Sequence, residues 1–541
     1  MLRKIIPQIL LFYFLLFLTT SYAQENQERT ELIEKRTPYS KTYVNSNGTY
    51  TSVISTGFMH YKNENDDFEE IDCSIVQSQA PQFDYEVQKG RYFAYFKSDL
   101  SQLDPIEIKR RDGTGLSMQL WGAAYFDTLS KEYHILQHIK QTTASVNSNE
   151  IYYHGAFNNV DVKYIYTDNK LKEEILLSQK ARERLPDPSN YDLDPASTFL
   201  VFITKLNFNS QKISPYAYGK MIHNVDYEGY DRIDFKNVLN EIKFFFPIDF
   251  AFLESHRDSI SSENMIPIRK RLIRRNGQLF LLSGVPLEWL HKISPGTVVF
   301  DPQVQIGASL DAYVYYTSST AENAPRYTNY GSAENLYIAA WTSSGQATKA
   351  RAYLKFNLSS IPSNAEISDA KLKTYWHNLS TSGSSGYHGG GNTYRRNQSS
   401  TYLKRVTTNW TESGITWVNQ PYSTTTHQIS ITAPSSFTSN FTVTVTQLIK
   451  DMINNGNHGF LWQLQSEQYY RSVNLASSEN RYTSRRPVLE VTYAVPNETY
   501  YIRDAIGSVI AKYVYIGSQK SITYYIRDVN GNVIGTYKRQ E

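Results

Sequence analysis

Two stretches of alternating sequence carry the side chains with most to offer a ligand. From Arg351 to Leu358 the apolar residues Ala352, Leu354, Phe356 and Leu358 take every second position, which turns Arg351, Tyr353, Lys355 and Asn357 to the other face of a strand. The stretch from Ala370 to His377 repeats the scheme, with Lys371, Lys373, Tyr375 and His377 opposite Ala370, Leu372, Thr374 and Trp376. If the two outward faces adjoin, they form a cationic surface set with rings. That surface suits an acidic polysaccharide, because guanidinium and ammonium groups meet carboxylates while ring faces stack on the sugar. Trp341, followed by Thr, Ser and Gly in an expected loop, adds a further ring. The same positions also keep a sandwich solvated and block edge pairing, so the pattern alone leaves both duties open. Asp311 and Asn329 carry oxygens that suit a structural calcium ion, and they equally suit strand-entry and turn duties. No other cofactor is expected.

Catalytic constellations are absent from the sequence: no two-histidine zinc helix, no paired CxxC, no phosphate-cradling Gly-Lys loop and no Gly-x-Ser-x-Gly elbow. The pairs His134 with His138 and His377 with His388 lack a third ligand at useful spacing. Cys73 is the only cysteine, which excludes an intramolecular disulfide. Nothing nearby would lower its thiol pKa, so it is expected as a small buried apolar residue. These features favour binding over catalysis. An enzyme drawing its groups from distant strands would leave no local signature, so a polysaccharide lyase or hydrolase with its site before residue 302 stays open.

The elements that must position these residues are strands. Val160, Val162, Tyr164 and Tyr166 alternate into the turn Thr167-Asp168-Asn169-Lys170 and on into Leu171 to Leu177, which predicts a hairpin with one wet face. Similar strands are predicted at Tyr43 to Ile54, Arg91 to Phe96, Phe199 to Ile203 and Glu241 to Phe246, and residues 24–302 are expected as one or two sandwich-like units. Pro286 to Leu290 predicts a single helical turn. Shorter strands separated by Ser/Thr/Gly stretches follow from 303 to 494, interrupted by one helix with Leu448, Ile449, Met452 and Ile453 on a face and Gly456 as its stop. This part is expected to fold on its own. After Pro496 the chain repeats itself, YYIRDAIGSVIAKY at Tyr500 to Tyr513 and YYIRDVNGNVIGTY at Tyr524 to Tyr537, each predicted as a hairpin.

Export is the expectation from the start of the chain, where Arg3 and Lys4 precede an apolar run from Ile9 to Leu18 and Ser21-Tyr22-Ala23 offers a cleavage site. The run is about ten residues, against the roughly 20 that span a bilayer, so a cleaved signal over 1–23 and no later membrane segment are expected. Fifty-five basic and 52 acidic residues leave a net charge of +3, too little for a dedicated nucleic-acid or membrane-surface protein. Forty-three tyrosines fit a β protein with half-exposed strands and amphipathic contact faces.

Asp311 to Val314, Thr328 to Gly331, Leu336 to Ile338, Arg351 to Pro362, Asp369 to Leu372, Trp410 to Pro421 (WTESGITWVNQP), Gly459-Phe460 and Arg485 to Tyr493 together resemble a DNRLRE domain, the family that overlaps carbohydrate-binding module family 96. The pieces Asp161 to Leu177 and Val285 to Pro302 resemble the leader region found before such domains and before Rhs/YD-repeat proteins, and the tail pair resembles YD repeats. An Rhs shell needs many repeats to close, and the chain carries two. The resemblance implies a jelly-roll-like module at 303–494 that binds carbohydrate. The expectation is therefore an all-β, secreted or cell-surface protein: signal, β-rich leader at 24–302, jelly roll at 303–494 and hairpin repeats at 495–541. Its function would be non-catalytic binding of an acidic polysaccharide, with a protein partner on the C-terminal hairpins as an addition. The alternative is a structural or adhesive protein, or a truncated Rhs-type protein, without carbohydrate binding.

Overall fold

Alternation becomes strand almost throughout, and the fold is all-β, as expected. The computed structural model describes residues 29–540 except 211, 258–264, 307–309, 320–323, 344, 378–386, 496–499, 505–507 and 517–518. The signal expected over 1–23, with cleavage after Ala23, falls outside the described residues. Among those described, no helix is long and apolar enough to cross a membrane.

The leader is one sandwich of a ten-stranded and a twelve-stranded antiparallel sheet. Its core joins Leu116, Leu120, Leu200, Phe202 and Leu281 of the first to Ile151, Val162, Tyr164, Ile175 and Phe244 of the second. The predicted hairpin is present as Val160–Tyr166 and Lys170–Leu177, with Tyr166 opposite Leu171. Its expected wet face is dry. Lys170, Lys172 and Glu174 are buried, because the second sandwich packs against them.

That second sandwich is built from a six-stranded and a seven-stranded sheet. Leu336, Ile338, Leu354, Leu403, Trp462 and Leu475 of the latter pack on Ile54, Ala370, Leu372, Leu489 and Val491 of the former. The helix Thr446–Asn455 buries Leu448, Ile449 and Met452 and stops where Gly456 takes a φ of +95°. The predicted turn of helix runs over Leu287–Lys292, with Pro286 at its N-cap.

Strand pairing crosses the expected boundary at 302 in both directions. Tyr50–Ser55 pairs with Val488–Ala494, Tyr50 opposite Tyr493 and Ser55 opposite Val488. Ser40–Asn45 and Arg29–Glu31 follow outward, so three of the six strands come from the first residues described. In the other direction, Gln303–Gln305 adds to Lys170–Lys172 in the leader. The period of a strand tells which residues are buried but not which sheet buries them; Ile54, fully buried, completes the second core.

The tail is a four-stranded meander whose strands, among the described residues, pair only with one another. The two repeats are equivalent hairpins, with Tyr500 opposite Tyr513 and Tyr524 opposite Tyr537.

Candidate functional site

The two strands expected to share a ligand face lie in different sheets. Gln346–Leu354 belongs to the seven-stranded sheet and Glu366–Thr374 to the six-stranded one, with the core between them, so their outward faces do not adjoin. The intervening Leu358–Ser360 turn carries the chain from one sheet to the other, as sandwich connections do. Arg351 is held by Glu467, with Nε 2.8 Å from Oε1, and its guanidinium lies 4.7 Å over the Trp417 ring. Tyr353 is 1% exposed. The WTESGITWVNQP segment folds as a strap over it, with the Trp410 ring at 5.7 Å and Gln420 Oε1 accepting from its hydroxyl at 3.1 Å. Trp410 and Trp417 are thus half-buried anchors of a small second core.

Lys371 pairs with Asp369 at 3.3 Å and Lys373 with Glu490 at 2.7 Å. His377 is 1% exposed, its Nδ1 3.1 Å from the Asn480 amide nitrogen. Tyr375 and Lys355 are half-buried, and burial lowers the pKa of the Lys355 ammonium. His388, apart from His377, accepts the Asn474 amide at Nδ1 and donates from Nε2 to the Ser439 carbonyl; burial pushes its pKa down to about 4. His134 stacks on Tyr191, and His138 meets the Trp121 ring edge-on. Cys73 packs on the leader core, and burial pushes its thiol up to about 12.

Trp341 stands in a different setting. It lies on Asn335–Ser343, opposite Thr348. The Arg395 guanidinium sits 5.0 Å over its ring and 4.6 Å over Tyr470, whose ring meets Trp341 edge-on at 5.4 Å. A short helix, Thr393–Asn397, presents Arg395, with the Asn392 side chain accepting the Arg395 amide at 3.2 Å. Gly390 lets the ring in: at its φ of +59° a Cβ would come 2.9 Å from the Trp341 ring. Tyr394, Tyr469 and Tyr470 around it are exposed. Among the described residues, no carboxylate pairs with Arg395. The arrangement offers aromatic faces and an uncompensated cation at one place. The sequence signal was the doublet Tyr469-Tyr470 and the TYRR run after three glycines, neither of which shows spacing that would link them to Trp341.

A second constellation is buried. Asp311, Glu412 and Glu479 bring carboxylate oxygens within 4.8 Å of one another. Asp311 opens the strand Asp311–Thr317 and accepts the Ser478 amide and hydroxyl, each at 2.9 Å. The same hydroxyl lies 2.7 Å from Glu479, although it has one proton to give. Glu412 comes from the strap. Asn329, the other expected calcium oxygen, instead staples that strap, its amide donating to the Glu412 and Ile415 carbonyls at 2.6 and 2.7 Å. Gly331 makes room, since a Cβ there would sit 2.6 Å from Glu412 Cγ. Burial, then the Glu479 charge, raises the pKa of both Asp311 and Glu412 well above the carboxylate range.

Around this cluster the two sandwiches meet through ions. Arg486 pairs with Asp168 at 2.8 Å, Lys172 with Glu334 at 2.9 Å and with Asp301 at 3.0 Å, and Arg481 with Glu334 at 2.9 Å. Burial opposes ionisation of Glu334, yet Arg481 and Lys172 hold its pKa well below the usual range.

The sandwich carrying these features matches a known class: residues 302–493 match carbohydrate-binding module family 96. Over 488 residues, 86% of the chain, the protein is 22% identical to the tRNA3(Ser)-specific nuclease WapA of Bacillus spizizenii and 21% identical to the tRNA(Glu)-specific nuclease WapA of Bacillus subtilis subsp. natto. The chain spans 18% of the length of each of these relatives. Among solved structures, a Paenibacillus xanthan lyase aligns over 84% of the chain and 53% of its own, at 8% identity and a TM-score of 0.12.

Proposed function

We propose that this chain is an exported, non-catalytic protein whose 302–493 module binds an acidic polysaccharide at or outside the cell surface, with Trp341, Tyr470 and Arg395 as the contact platform. The family match supports carbohydrate as the ligand class. The observation that carries the rest is the platform itself, where Arg395 has two aromatic neighbours and no carboxylate partner among the described residues, whereas Arg351, Lys371 and Lys373 are already paired. A uronate carboxylate completes what Arg395 lacks, and the sugar ring takes the exposed tyrosines. The test is binding of the whole chain to a panel of uronate and neutral polymers. Arg395→Ala should weaken uronate binding about tenfold, a charge-assisted contact being worth on the order of 1.5–3 kcal/mol, and raised salt should do the same. A panel with no binding, or wild-type affinity in Arg395→Ala, rejects the platform. The second reading, a structural or adhesive role, is favoured by the ionic junction that locks leader and module together and by the tail's exposed Ile526, Val529, Ile534 and Tyr537. A flat panel with intact surface attachment selects it.

A further inference from the structure

We propose that Asp311, Glu412 and Glu479 hold a calcium ion at the junction of the two sandwiches. The three carboxylates are fully or almost fully buried and converge from a strand start, the strap and the loop after Arg471–Ala476. Calcium–oxygen bonds of 2.3–2.6 Å hold oxygens no more than about 5 Å apart across the ion, which the 4.8 Å spread satisfies. Two polar atoms point to a missing partner. Glu412 Oε1 is buried without a well-formed hydrogen bond, and so is the Thr56 hydroxyl, which lies fully buried against the Asp311 carboxyl. Both are oxygens of one site, since Glu412 belongs to the cluster and Thr56 stands at its Asp311 corner. A buried unpaired carboxylate oxygen is costly, and a cation removes that cost.

The donor set is all oxygen, with no thiolate or imidazole, which selects a hard cation over zinc. Three carboxylates are more than magnesium, which keeps most of its waters, ordinarily takes from protein. The nearby Lys170 ammonium does not fill the place: it donates to the Ser332 carbonyl at 3.0 Å and offsets at most one of three charges. A cavity of about 250 Å³ lined by Gln305, Asn329, Gly331, Ser332 and Glu412 gives a route from solvent. The ion would tie Thr56, the strap and both flanks of the module into one point beside the leader turn, where Asn169 donates to Glu479 at 3.2 Å.

Metal content and thermal melts of the full chain test this. Protein purified with calcium should hold about one calcium per chain. Chelator-stripped protein should melt several degrees lower and regain its melting temperature with calcium in a concentration-dependent way, as binding to the folded state requires. Glu412→Gln and Asp311→Asn should each lower calcium affinity at least about tenfold. If one of them fails to fold, the other and the metal content of the wild type still decide. Stripped wild type indifferent to calcium, equal response to magnesium, or an unchanged calcium response in both variants overturns the assignment.

Discussion

The turn Thr167–Lys170 and the turn Asp528–Gly531 are spelled with the same kinds of residue and end in opposite surroundings. At the first, all four residues are 3% exposed or less, and three of them find partners far along the chain: Arg486 and the Phe58 amide for Asp168, Glu479 for Asn169, the Ser332 carbonyl for Lys170. At the second, Asp528 accepts the Asn530 and Asn532 amides, each at 2.9 Å, and Val529 stands wholly in solvent. Asx-type hydrogen bonding and glycine account for the reversal of the chain at the tail turn. They say nothing of what docks on a turn afterwards. A polar turn is buried without loss only where a distant segment meets each of its groups, so the first turn is a joint between bodies and the second is a surface.

Breaking the joint gives the largest effect. Arg486→Ala leaves Asp168 buried without its counter-charge and should lower stability by roughly 3–5 kcal/mol, read by urea unfolding; a change under about 1 kcal/mol would make the first turn no different from the second. Next comes a test of what the joint sits on. Residues 303–494 made alone lack three strands of a six-stranded sheet and bare the edge of Val488–Ala494. They should aggregate or melt well below the full chain, and supplying residues 29–55 in the same polypeptide should restore cooperativity. A fragment as stable without them would show the shared sheet to be incidental.

Acid titration sharpens the comparison on the buried side. Burial raises Glu173, which accepts from the Tyr164 hydroxyl, to about 7. The folded chain therefore holds a proton that the unfolded chain releases near 4.5, so stability should fall as pH rises from about 4.5 to about 7. Glu173→Gln should flatten that segment of the stability profile, and an unchanged slope would place the pH dependence elsewhere. The smallest effect belongs to the exposed turn. Gly531 has a φ of +84°, and Gly531→Ala should cost the tail hairpin about 1 kcal/mol or slightly more while leaving the main melting transition where it is.

Much of the fold was legible. Strict alternation gave the hairpin at Val160–Leu177, the periodic apolar face gave the helix Thr446–Asn455, and repetition gave the tail's paired hairpins, because each signal is local and set by backbone geometry. Adjacency was not. Lys371 and Arg351 are twenty residues apart with equal alternation, and nothing local tells that the chain changes sheets at Leu358–Ser360. Tyr353 read as outward, and it is outward from the main core, but the strap makes a second core on that side. Trp341 was visible as a ring without its setting, since Arg395 and Tyr470 reach it from segments separated by four strands and a helix. Asp311 was visible as an oxygen donor; its companions Glu412 and Glu479 came into view only through the strap that Asn329 staples.

The sheet shared by Tyr50–Ser55 and Val488–Ala494 also sets a clock. Thr51 and Thr492 touch through their hydroxyls at 3.2 Å across a separation of 441 residues. At synthesis rates of about 5–20 residues per second, the opening strands wait roughly 20–90 seconds before their neighbour exists. Through that interval Ile54 has no core to enter and the strand edge beside it has no partner. The module consequently closes only after the leader between its halves is complete, and the segment that holds Ile54 needs protection from other chains until then.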